Sequence, residues 1–330
     1  MATATVATAT SYSNLWKTIE MAHWAMDYQF PFQTITLAEA RRRWQQLRNN
    51  RHLAISGRNL SSQELPQLLY LICVNRTTVH RYAQIAECFN QPEQIKARRL
   101  DSISALQCWQ EHPSWSFEQI MGAIKRPTGF PPTVMMAMFK LFKPKVVVDP
   151  CGGWGDRLVG ALAYCDQLVS YTSIEPNKRL VRSYEQMVNK LVGKDQSKRF
   201  NFIQGCAEEQ LVCLPKGTAD LVFTSPPYYN LELYNSEPTQ STARYPKYLD
   251  WLENFLFKLM DGSVQVLKPE GVLAINIQDV PGASIQSDLL DYMACHIHMR
   301  YLGKIYFGDH QKPREIYGEI LIWKGNGTPP

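Results

Sequence analysis

The sequence lacks a long hydrophobic run: no stretch of its 330 residues approaches the roughly 20 apolar residues that span a bilayer. Its first residues, MATATVATATSYSN, also lack the basic and apolar regions of a secretory signal peptide. We therefore expect a frayed N-terminal tail, no membrane partner and a cytoplasmic location.

Paired cysteines are missing as well. The eight cysteines are scattered and form no C-x-x-C motif, which excludes a zinc ribbon and a thioredoxin-like redox site. One local cluster, Cys295-His296-Ile297-His298, offers too few ligands for a metal site. No metal is predicted, and the thiols are expected to be reduced and structural.

Charge is unevenly divided along the chain. Residues 1–145 contain 17 basic and 9 acidic side chains, whereas residues 146–330 contain 18 basic and 21 acidic ones. A basic half joined to a mildly acidic half is typical of a nucleic-acid-binding appendage on a catalytic domain. A solvated basic helix surface would produce the same imbalance, and composition does not separate the two.

The first half of the chain has the pattern of short helices. Thr36-Leu37-Ala38-Glu39 is a capping box that begins a helix extending to Arg48. Further apolar-periodic segments, separated by Asn, Pro and Ser, predict helices at 65–74, 78–88, 102–109 and 117–124. Residues 1–123 are therefore predicted to be a helical region that recognises nucleic acid.

From residue 145 the pattern changes to strands alternating with helices. Strands are predicted at 146–148, 168–174, 202–203, 221–223 and 272–277. Helices are predicted from residue 158, at 178–191 and at 248–266, with a turn at 268–271 and a closing antiparallel pair, 301–307 and 316–323, at the sheet edge. This alternation predicts an α/β domain over residues 124–330, with a doubly wound, mostly parallel Rossmann-like sheet.

A glycine-rich turn, DPCGGWGDRL over residues 149–158, follows the first of these strands. Its spacing is G-x-G-x-x-L, so the third glycine of a dinucleotide fingerprint is missing. S-adenosylmethionine has no phosphate to cradle and fits this turn better, with close backbone approach at Gly153 and Gly155. Glu175, twenty positions after Gly155, ends the second strand, where a carboxylate binds ribose hydroxyls. Trp154 is placed to pack over the ligand.

The fourth strand leads into Thr224-Ser225-Pro226-Pro227-Tyr228, a loop stiffened by two prolines. An exocyclic base nitrogen is a poor nucleophile because its lone pair is delocalised into the ring. Ser225 Oγ and the Pro226 carbonyl are suitable acceptors for its two N–H bonds, and the Tyr228 ring can stack on an extruded base. The loop therefore predicts direct methyl transfer to an amino nitrogen.

These motifs resemble those of the amino-methyltransferase family that includes DNA N4-cytosine and N6-adenine enzymes. Residues 149–155 resemble its D-P-F-x-G-x-G cofactor motif with Cys151 in the Phe position, and residues 224–228 resemble its [TS]-[DNS]-P-P-[YF] catalytic motif. The segment 125–130 resembles an additional cofactor-contacting motif. Cys206 stands where the family's G-D-A loop has aspartate. The resemblance covers residues 124–325.

The resemblance implies a seven-stranded methyltransferase sheet and two sets of site residues. The catalytic set is Ser225, Pro226, Pro227 and Tyr228. The set expected to bind S-adenosylmethionine is Thr128, Asp149, Cys151, Gly153, Gly155, Asp156, Glu175, Cys206 and Ala207.

Serine before Pro-Pro-Tyr favours cytosine N4 in double-stranded DNA, with the target base flipped out. Adenine N6 is the first alternative, and an RNA base or a protein glutamine is the second. An inactive DNA-binding protein on the same fold is a third. Besides DNA, two options for a protein partner stay open: a cognate restriction nuclease, or none.

Only about 70 residues separate the two motifs, which leaves no insert for a target-recognition domain. Recognition is therefore assigned to the helical first half, assisted by the loop 231–245. The candidate phosphate contacts are Arg41, Arg42, Arg43, Arg48, Arg51 and Arg58.

Overall fold

The computed structural model describes residues 35–49, 55–57, 68–74, 76–94, 105–116, 119–120, 123, 129–232, 234, 237–309 and 316–328. Three predicted site residues, Thr128, Arg51 and Arg58, lie outside this set, as does most of the predicted helix 117–124. Within the described residues, no helix is both long and apolar enough to cross a membrane.

Nine strands form one sheet in the order β1-β2-β8-β9-β7-β6-β3-β4-β5. The strands are β1 (Ile55–Gly57), β2 (Leu68–Val74), β3 (Val146–Asp149), β4 (Ser170–Glu175), β5 (Phe200–Gln204), β6 (Ala219–Thr224), β7 (Leu267–Asn276), β8 (Met299–Asp309) and β9 (Ile316–Gly325). Strands β5, β4, β3, β6 and β7 are parallel to one another, and β9 is antiparallel to β7 and β8. The predicted doubly wound, mostly parallel Rossmann-like sheet is confirmed. It has nine strands and not the expected seven, because β1 and β2 of the N-terminal half extend it beyond β8.

Helices cover both faces of the sheet. The α-helices are α1 (Leu37–Arg48), α2 (Arg76–Gln94), α3 (Ala105–Glu111), α4 (Pro132–Phe142), α5 (Asp156–Ala163), α6 (Lys178–Leu191), α7 (Lys194–Ser197), α8 (Ala207–Gln210), α9 (Ser241–Arg244), α10 (Tyr248–Trp251), α11 (Phe257–Val266) and α12 (Ile285–Ala294). A π-helical turn, Leu252–Leu256, joins α10 to α11, so the predicted helix 248–266 is one helical run with a π segment. Val147 and Val148 face two different hydrophobic clusters, because successive strand residues point to opposite faces.

Local sequence accounts for several of these helices. In α1 the Glu39 N–H donates to Thr36 Oγ1 at 3.1 Å, which is the predicted capping contact. In α6 the buried side chains recur at helical spacing on the face toward the sheet, as at Leu180, Tyr184 and Leu191. The predicted bounds of α6 are confirmed.

The N-terminal half is not wholly helical, and the predicted helix 65–74 is wrong. Residues Leu68–Val74 form β2, which pairs in parallel with β8 and antiparallel with β1. A seven-residue apolar run has no period that separates a buried helix from a buried strand. Here the segment forms a strand because its backbone hydrogen-bonds to β8. Its side chain Ile72 is fully buried in the core. Because β2 covers β8, the pair β8–β9 is not at the sheet edge, contrary to the prediction.

The predicted turn 268–271 lies inside a strand instead. Strand β7 begins at Leu267, which pairs with Ala219 of β6, and regular pairing resumes between Val272 and Leu221. The four intervening residues of β7 lie opposite one residue of β6, so the register shifts here. Pro269 fits such an interruption because a proline has no N–H to donate to a sheet. Residues 268–271 have the composition of a turn, but strand β7 continues through them.

Candidate active site

The carboxyl ends of the parallel strands open into one cavity of about 900 Å³. Ligands of doubly wound sheets bind at this edge, so the location agrees with the sequence-based expectation. The predicted site residues that line the cavity are Cys151, Gly153, Asp156, Glu175, Cys206, Ala207, Ser225, Pro226, Pro227 and Tyr228. Asp149 and Gly155 do not line it and lie behind the glycine-rich turn.

The glycine-rich turn depends on left-handed backbone at two positions. Gly153 has a φ of 60° and Gly155, which caps α5, has a φ of 88°. A Cβ on Gly155 would lie 3.2 Å from both Met187 Cε and Tyr184 Cε1. Tyr184 also donates its hydroxyl to the Gly153 carbonyl, so helix α6 packs directly beneath the turn.

We predict that Gly155→Val abolishes binding of S-adenosylhomocysteine, measured by calorimetry. A β-branched residue in the left-handed region costs about 1–3 kcal/mol, and the added side chain would displace the turn. Gly217→Val is a matched control, since Gly217 has a φ of 65° and no described atom lies within 4 Å of the place that a Cβ would occupy. Both variants should melt at lower temperature, but binding by the control should persist. Unchanged binding by Gly155→Val would contradict a role for the turn.

A buried network braces the turn from behind. Asp149 is fully buried and accepts from Arg157 Nε at 2.8 Å and Nη2 at 3.1 Å, from Tyr171 Oη at 2.9 Å and from Thr224 Oγ1 at 2.9 Å. Arg157 also donates to the Cys151 carbonyl, and Thr224 Oγ1 accepts from the Cys151 N–H at 3.0 Å. The network joins β3, β4, β6 and the turn. Asp149 therefore positions the turn from behind the cavity wall.

Glu175 lies at the end of β4 and is almost completely buried. Its Oε2 accepts from the Gly153 N–H at 2.9 Å and its Oε1 from the Asn177 N–H at 3.0 Å. Burial raises the pKa of Glu175 to about 7, although the two N–H donors act in the opposite direction. Each carboxylate oxygen has a second lone pair, so Glu175 can still accept from a vicinal diol in the cavity.

The segment after β5 also lines the cavity. Cys206 is buried with its Sγ 3.7 Å from the Thr239 carbonyl, and Ala207 follows at the start of α8. Glu208 also lines the cavity and pairs with Arg244 Nη1 at 3.0 Å. Trp154 lines the cavity from the glycine-rich turn, as predicted.

The catalytic-motif loop forms a compact hydrogen-bonded triangle. Ser225 Oγ lies 3.0 Å from Tyr228 Oη, and these hydroxyls lie 3.1 Å and 2.7 Å from Asn276 Oδ1. Asn276 Nδ2 donates to the Glu319 carbonyl at 2.7 Å. Sequence reasoning missed Asn276. The available signal was a polar residue at the end of β7, the strand beside the one that leads into Ser225.

The direction of this loop is set by an unusual backbone. Tyr229 has a φ of 48°, which is uncommon for a residue with a side chain. Its hydroxyl donates to the Pro246 carbonyl at 2.7 Å, and its ring packs against Tyr248 and Trp251 with centroids 5.3 Å and 5.6 Å away. These contacts hold the conformation that turns Tyr228 toward Asn276.

Acidic side chains dominate the described lining of the cavity. Arg157 is the one basic residue in that lining, and its guanidinium pairs with Asp149 at 2.8 Å. The acidic lining residues are Glu87, Asp156, Glu175, Glu208, Glu232 and Glu319. Such a lining attracts a cationic ligand and repels phosphate groups.

The four described arginines of the predicted nucleic-acid-binding set lie on α1 and do not line the cavity. Arg42 and Arg43 pair with Glu39 of the same helix at 2.7 Å and 2.6 Å. Arg41 Nε donates to the Lys190 carbonyl at 2.9 Å, and Arg48 pairs with Asp166. Arg41 thus attaches α1 to α6, and Arg48 attaches it to the turn that follows α5. A nucleic-acid role for the arginines stays a prediction.

No group of three or more His, Cys, Asp or Glu side chains in the described part of the chain is arranged to hold a metal ion. The local cluster 295–298 is therefore not part of such a group.

No family model and no curated protein matches this chain. Among solved structures it is similar to TrmN from Thermus thermophilus, with 13% identity over 59% of this chain and 49% of that one and a TM-score of 0.40. It is also similar to an rRNA methylase from Streptococcus thermophilus, with 10% identity over 60% of this chain and 98% of that one and a TM-score of 0.39. A methyltransferase from Geobacter sulfurreducens matches at 10% identity over 60% of this chain and 79% of that one, with a TM-score of 0.36. The match thus spans about half the length of TrmN.

Proposed function

We propose that this protein is an S-adenosylmethionine-dependent methyltransferase that acts on an exocyclic amino group of a nucleic-acid base, with cytosine N4 in DNA as our assignment. The observation that carries the proposal is the hydrogen-bond polarity of the triangle formed by Ser225, Tyr228 and Asn276. It presents acceptors, and not donors, to the atom that reacts.

The polarity follows from one backbone carbonyl. The Glu319 carbonyl only accepts, so the amide group that faces it at 2.7 Å is the Nδ2 of Asn276. Asn276 Oδ1 therefore faces the two hydroxyls and accepts from them. Whichever way the Ser225 and Tyr228 protons rotate to satisfy these contacts, both remain within the triangle, and the remaining Ser225 lone pairs are available to the cavity.

A hydrogen-bond acceptor at Ser225 can bind the N–H groups of a substrate amine. When the two N–H bonds of an exocyclic amine are held by Ser225 Oγ and the Pro226 carbonyl, the nitrogen lone pair is turned out of conjugation. As nitrogen forms its new bond its protons become more acidic, and the acceptors then bind them more strongly. S-adenosylmethionine supplies an electrophilic methyl group when bound. The chain's own contribution is orientation and preorganised hydrogen bonding.

The cavity suits this cofactor in shape and charge. The backbone of Gly153, free of a side chain, allows close approach, and the buried carboxylate of Glu175 can accept from both ribose hydroxyls. The acidic lining favours a ligand with a sulfonium and an ammonium group over a dinucleotide with a pyrophosphate. Cys206, Ala207 and Trp154 are the residues that would contact the adenosine and the chain linked to it.

The acidic lining of the cavity also limits which part of a nucleic acid can enter it. A nucleic-acid backbone is repelled by clustered carboxylates, whereas an uncharged base is not. A base can therefore reach Ser225 if it is extruded from its helix, which costs a few kcal/mol and is common to enzymes that modify bases. Thr224-Ser225 before Pro-Pro-Tyr supports cytosine over adenine, and the basic N-terminal half supports a nucleic acid over a protein glutamine.

The proposal is tested by expressing the protein in cells that lack native DNA methylation. Nuclease-digested DNA and RNA would be analysed by mass spectrometry for N4-methylcytosine and N6-methyladenine, with Ser225→Ala as the matched control. We expect N4-methylcytosine in DNA that disappears in the control. N6-methyladenine in place of N4-methylcytosine would overturn the assignment to cytosine, but it would agree with methyl transfer to an exocyclic amine. Modification confined to RNA, or absent from both, would overturn the DNA substrate.

We further predict that Asn276→Leu lowers kcat by roughly 10²-fold, which is typical for the loss of one preorganised polar group. Leucine removes the acceptor that takes the Ser225 and Tyr228 protons, so these hydroxyls can turn donors toward the substrate. Affinity for S-adenosylhomocysteine should not change. Asn276→Asp keeps an oxygen toward the hydroxyls and should recover part of the rate. If the aspartate variant is as slow as the leucine variant, the polarity argument is wrong.

A further inference from the structure

Glu208 brings a buried carboxylate to the cavity just after β5. It is the second residue of α8, it lines the cavity, and its side chain is only 3% exposed. Burial is the largest cause that raises the pKa of the Cys151 thiol in the glycine-rich turn, and the negative charge of Glu208 adds to it. The Glu208 carboxylate therefore lies within electrostatic range of the turn that lines the same cavity.

The contacts of Glu208 leave one of its oxygens able to accept from a ligand. Arg244 Nη1 lies 3.0 Å from Glu208 Oε1, and the Tyr245 hydroxyl donates to the same oxygen at 3.4 Å. Burial raises the pKa of Glu208, while its own N–H and the guanidinium of Arg244 act in the opposite direction. A carboxylate has two lone pairs on each oxygen. Even if the Glu208 N–H takes one of them, Oε2 retains a lone pair for a further donor.

The order of the strands gives the direction in which the cofactor would extend. Strands β6, β3, β4 and β5 are neighbours in that order, about 4.8 Å apart. In the proposed function the methyl group lies at Ser225, after β6, and the ribose lies at Glu175, after β4. The base and the sulfonium arm leave the ribose on opposite sides of its ring oxygen. The base therefore extends away from Ser225, toward the residues that follow β5.

We propose that Glu208 accepts a hydrogen bond from the exocyclic amino group of the cofactor's adenine, and so selects adenine over a base with a carbonyl in that place. The inference rests on the proposed function, because it presumes the cofactor. The two preceding residues are poorly suited to this contact, since Cys206 Sγ donates to the Thr239 carbonyl and Ala207 has no polar side chain. Arg244 is a positioning residue that holds Oε1. A hydrogen bond to a carboxylate is stronger than one between neutral groups.

The test replaces the acceptor with a donor. In Glu208→Gln the amide oxygen should face Arg244, because a guanidinium only donates, and the NH2 group then takes the place of Oε2. Calorimetry on the full chain would compare S-adenosylhomocysteine with S-inosylhomocysteine, in which a carbonyl replaces the amino group. Wild type should prefer S-adenosylhomocysteine by about tenfold or more, as expected for a hydrogen bond to a charged group. Glu208→Gln should bring this preference to unity or reverse it.

Glu209→Gln is the matched control. Glu209 is the next residue, pairs with the same Arg244 and does not line the cavity. Its variant should therefore keep the wild-type preference. Thermal melting would verify that the variants are folded. Glu208→Asp is the second variant if the glutamine variant is not folded, and it should lose most of the preference because the shorter side chain withdraws the carboxylate.

Three results would overturn the assignment to Glu208. One is an unchanged preference in the Glu208 variants, and another is an equal loss of affinity for both ligands. The third is a loss of preference in Glu209→Gln as large as that in Glu208→Gln. Failure of wild type to bind S-adenosylhomocysteine would instead contradict the proposed function.

Discussion

Ser225→Ala is expected to reduce methyl transfer by roughly 10²- to 10³-fold, the usual cost of removing one preorganised hydrogen-bonding group from an active site. The variant removes the acceptor lone pairs that face the target amine and opens the triangle on Asn276. The Tyr228–Asn276 contact at 2.7 Å remains, so the loop should keep its shape. The measurement is the single-turnover rate with bound cofactor, alongside affinity for S-adenosylhomocysteine, which should be unchanged.

Ser263→Ala is the matched control for this experiment. Ser263 is fully buried in α11, does not line the cavity, and its hydroxyl has no hydrogen-bond partner among the described residues. The same loss of one hydroxyl should therefore leave the transfer rate at the wild-type level. A normal rate in Ser225→Ala would show that the Ser225 hydroxyl does not act on the target nitrogen.

Arg157→Met should destabilise the fold by about 3–5 kcal/mol, because it leaves a buried charge without its partner. Asp149 and Arg157 are almost completely removed from solvent, and burial acts against the charge on Arg157 while Asp149 raises the pKa of its guanidinium. Without Arg157, Asp149 would retain only the hydroxyl donors Tyr171 and Thr224. Urea unfolding followed by circular dichroism would measure the change.

A second substitution separates charge from packing. Combining Arg157→Met with Asp149→Asn removes both charges. The asparagine keeps one oxygen, which can accept from either Tyr171 or Thr224, and its NH2 group can donate to the hydroxyl oxygen of the other. Replacing a buried ion pair by uncharged groups is often close to neutral, so the double variant should regain much of the lost stability. A double variant as unstable as Arg157→Met would mean that the arginine acts through its shape and its contact with the Cys151 carbonyl.

Strands β3 to β7 and the longer helices between them, α5, α6 and the run from α10 to α11, could be predicted because their signals are local. A valine run followed by a glycine-rich turn, or an amphipathic repeat such as that of α6, fixes the conformation of neighbouring residues without reference to the rest of the chain. The positions of Gly153, Glu175 and Ser225 follow from the same logic. The ends of parallel strands meet at one edge of a sheet, so strand order alone brings these residues together.

Strand β2 could not be predicted in this way. Its seven apolar residues satisfy either a buried helix or a buried strand, and the choice is made by hydrogen bonds to β8, more than 200 residues further along the chain. Pairing energy of this kind depends on the partner strand. Because β2 pairs with β8, the pair β8–β9 lies inside the sheet and not at its edge, where it was predicted.

The role of Asn276 and the position of Glu87 also depend on the folded chain. Asn276 matters because the Glu319 carbonyl orients its amide, and Glu87 lines the cavity because Asn90 and Phe89 attach α2 to the turn and to α6. The contacts of the α1 arginines also depend on the fold: Arg41 reaches α6 and Arg48 reaches the turn after α5, and their nucleic-acid role stays a prediction.

The sequence by itself determined the alternating α/β architecture, the glycine-rich turn and the Ser-Pro-Pro-Tyr loop, because backbone geometry and side-chain period act over a few residues. The tertiary structure alone decided which strand covers β8, which group accepts from the hydroxyls of the catalytic loop, and which helix of the N-terminal half lines the cavity. These outcomes depend on hydrogen bonds and packing between groups far apart in the chain, and such contacts have direction only once the chain is folded.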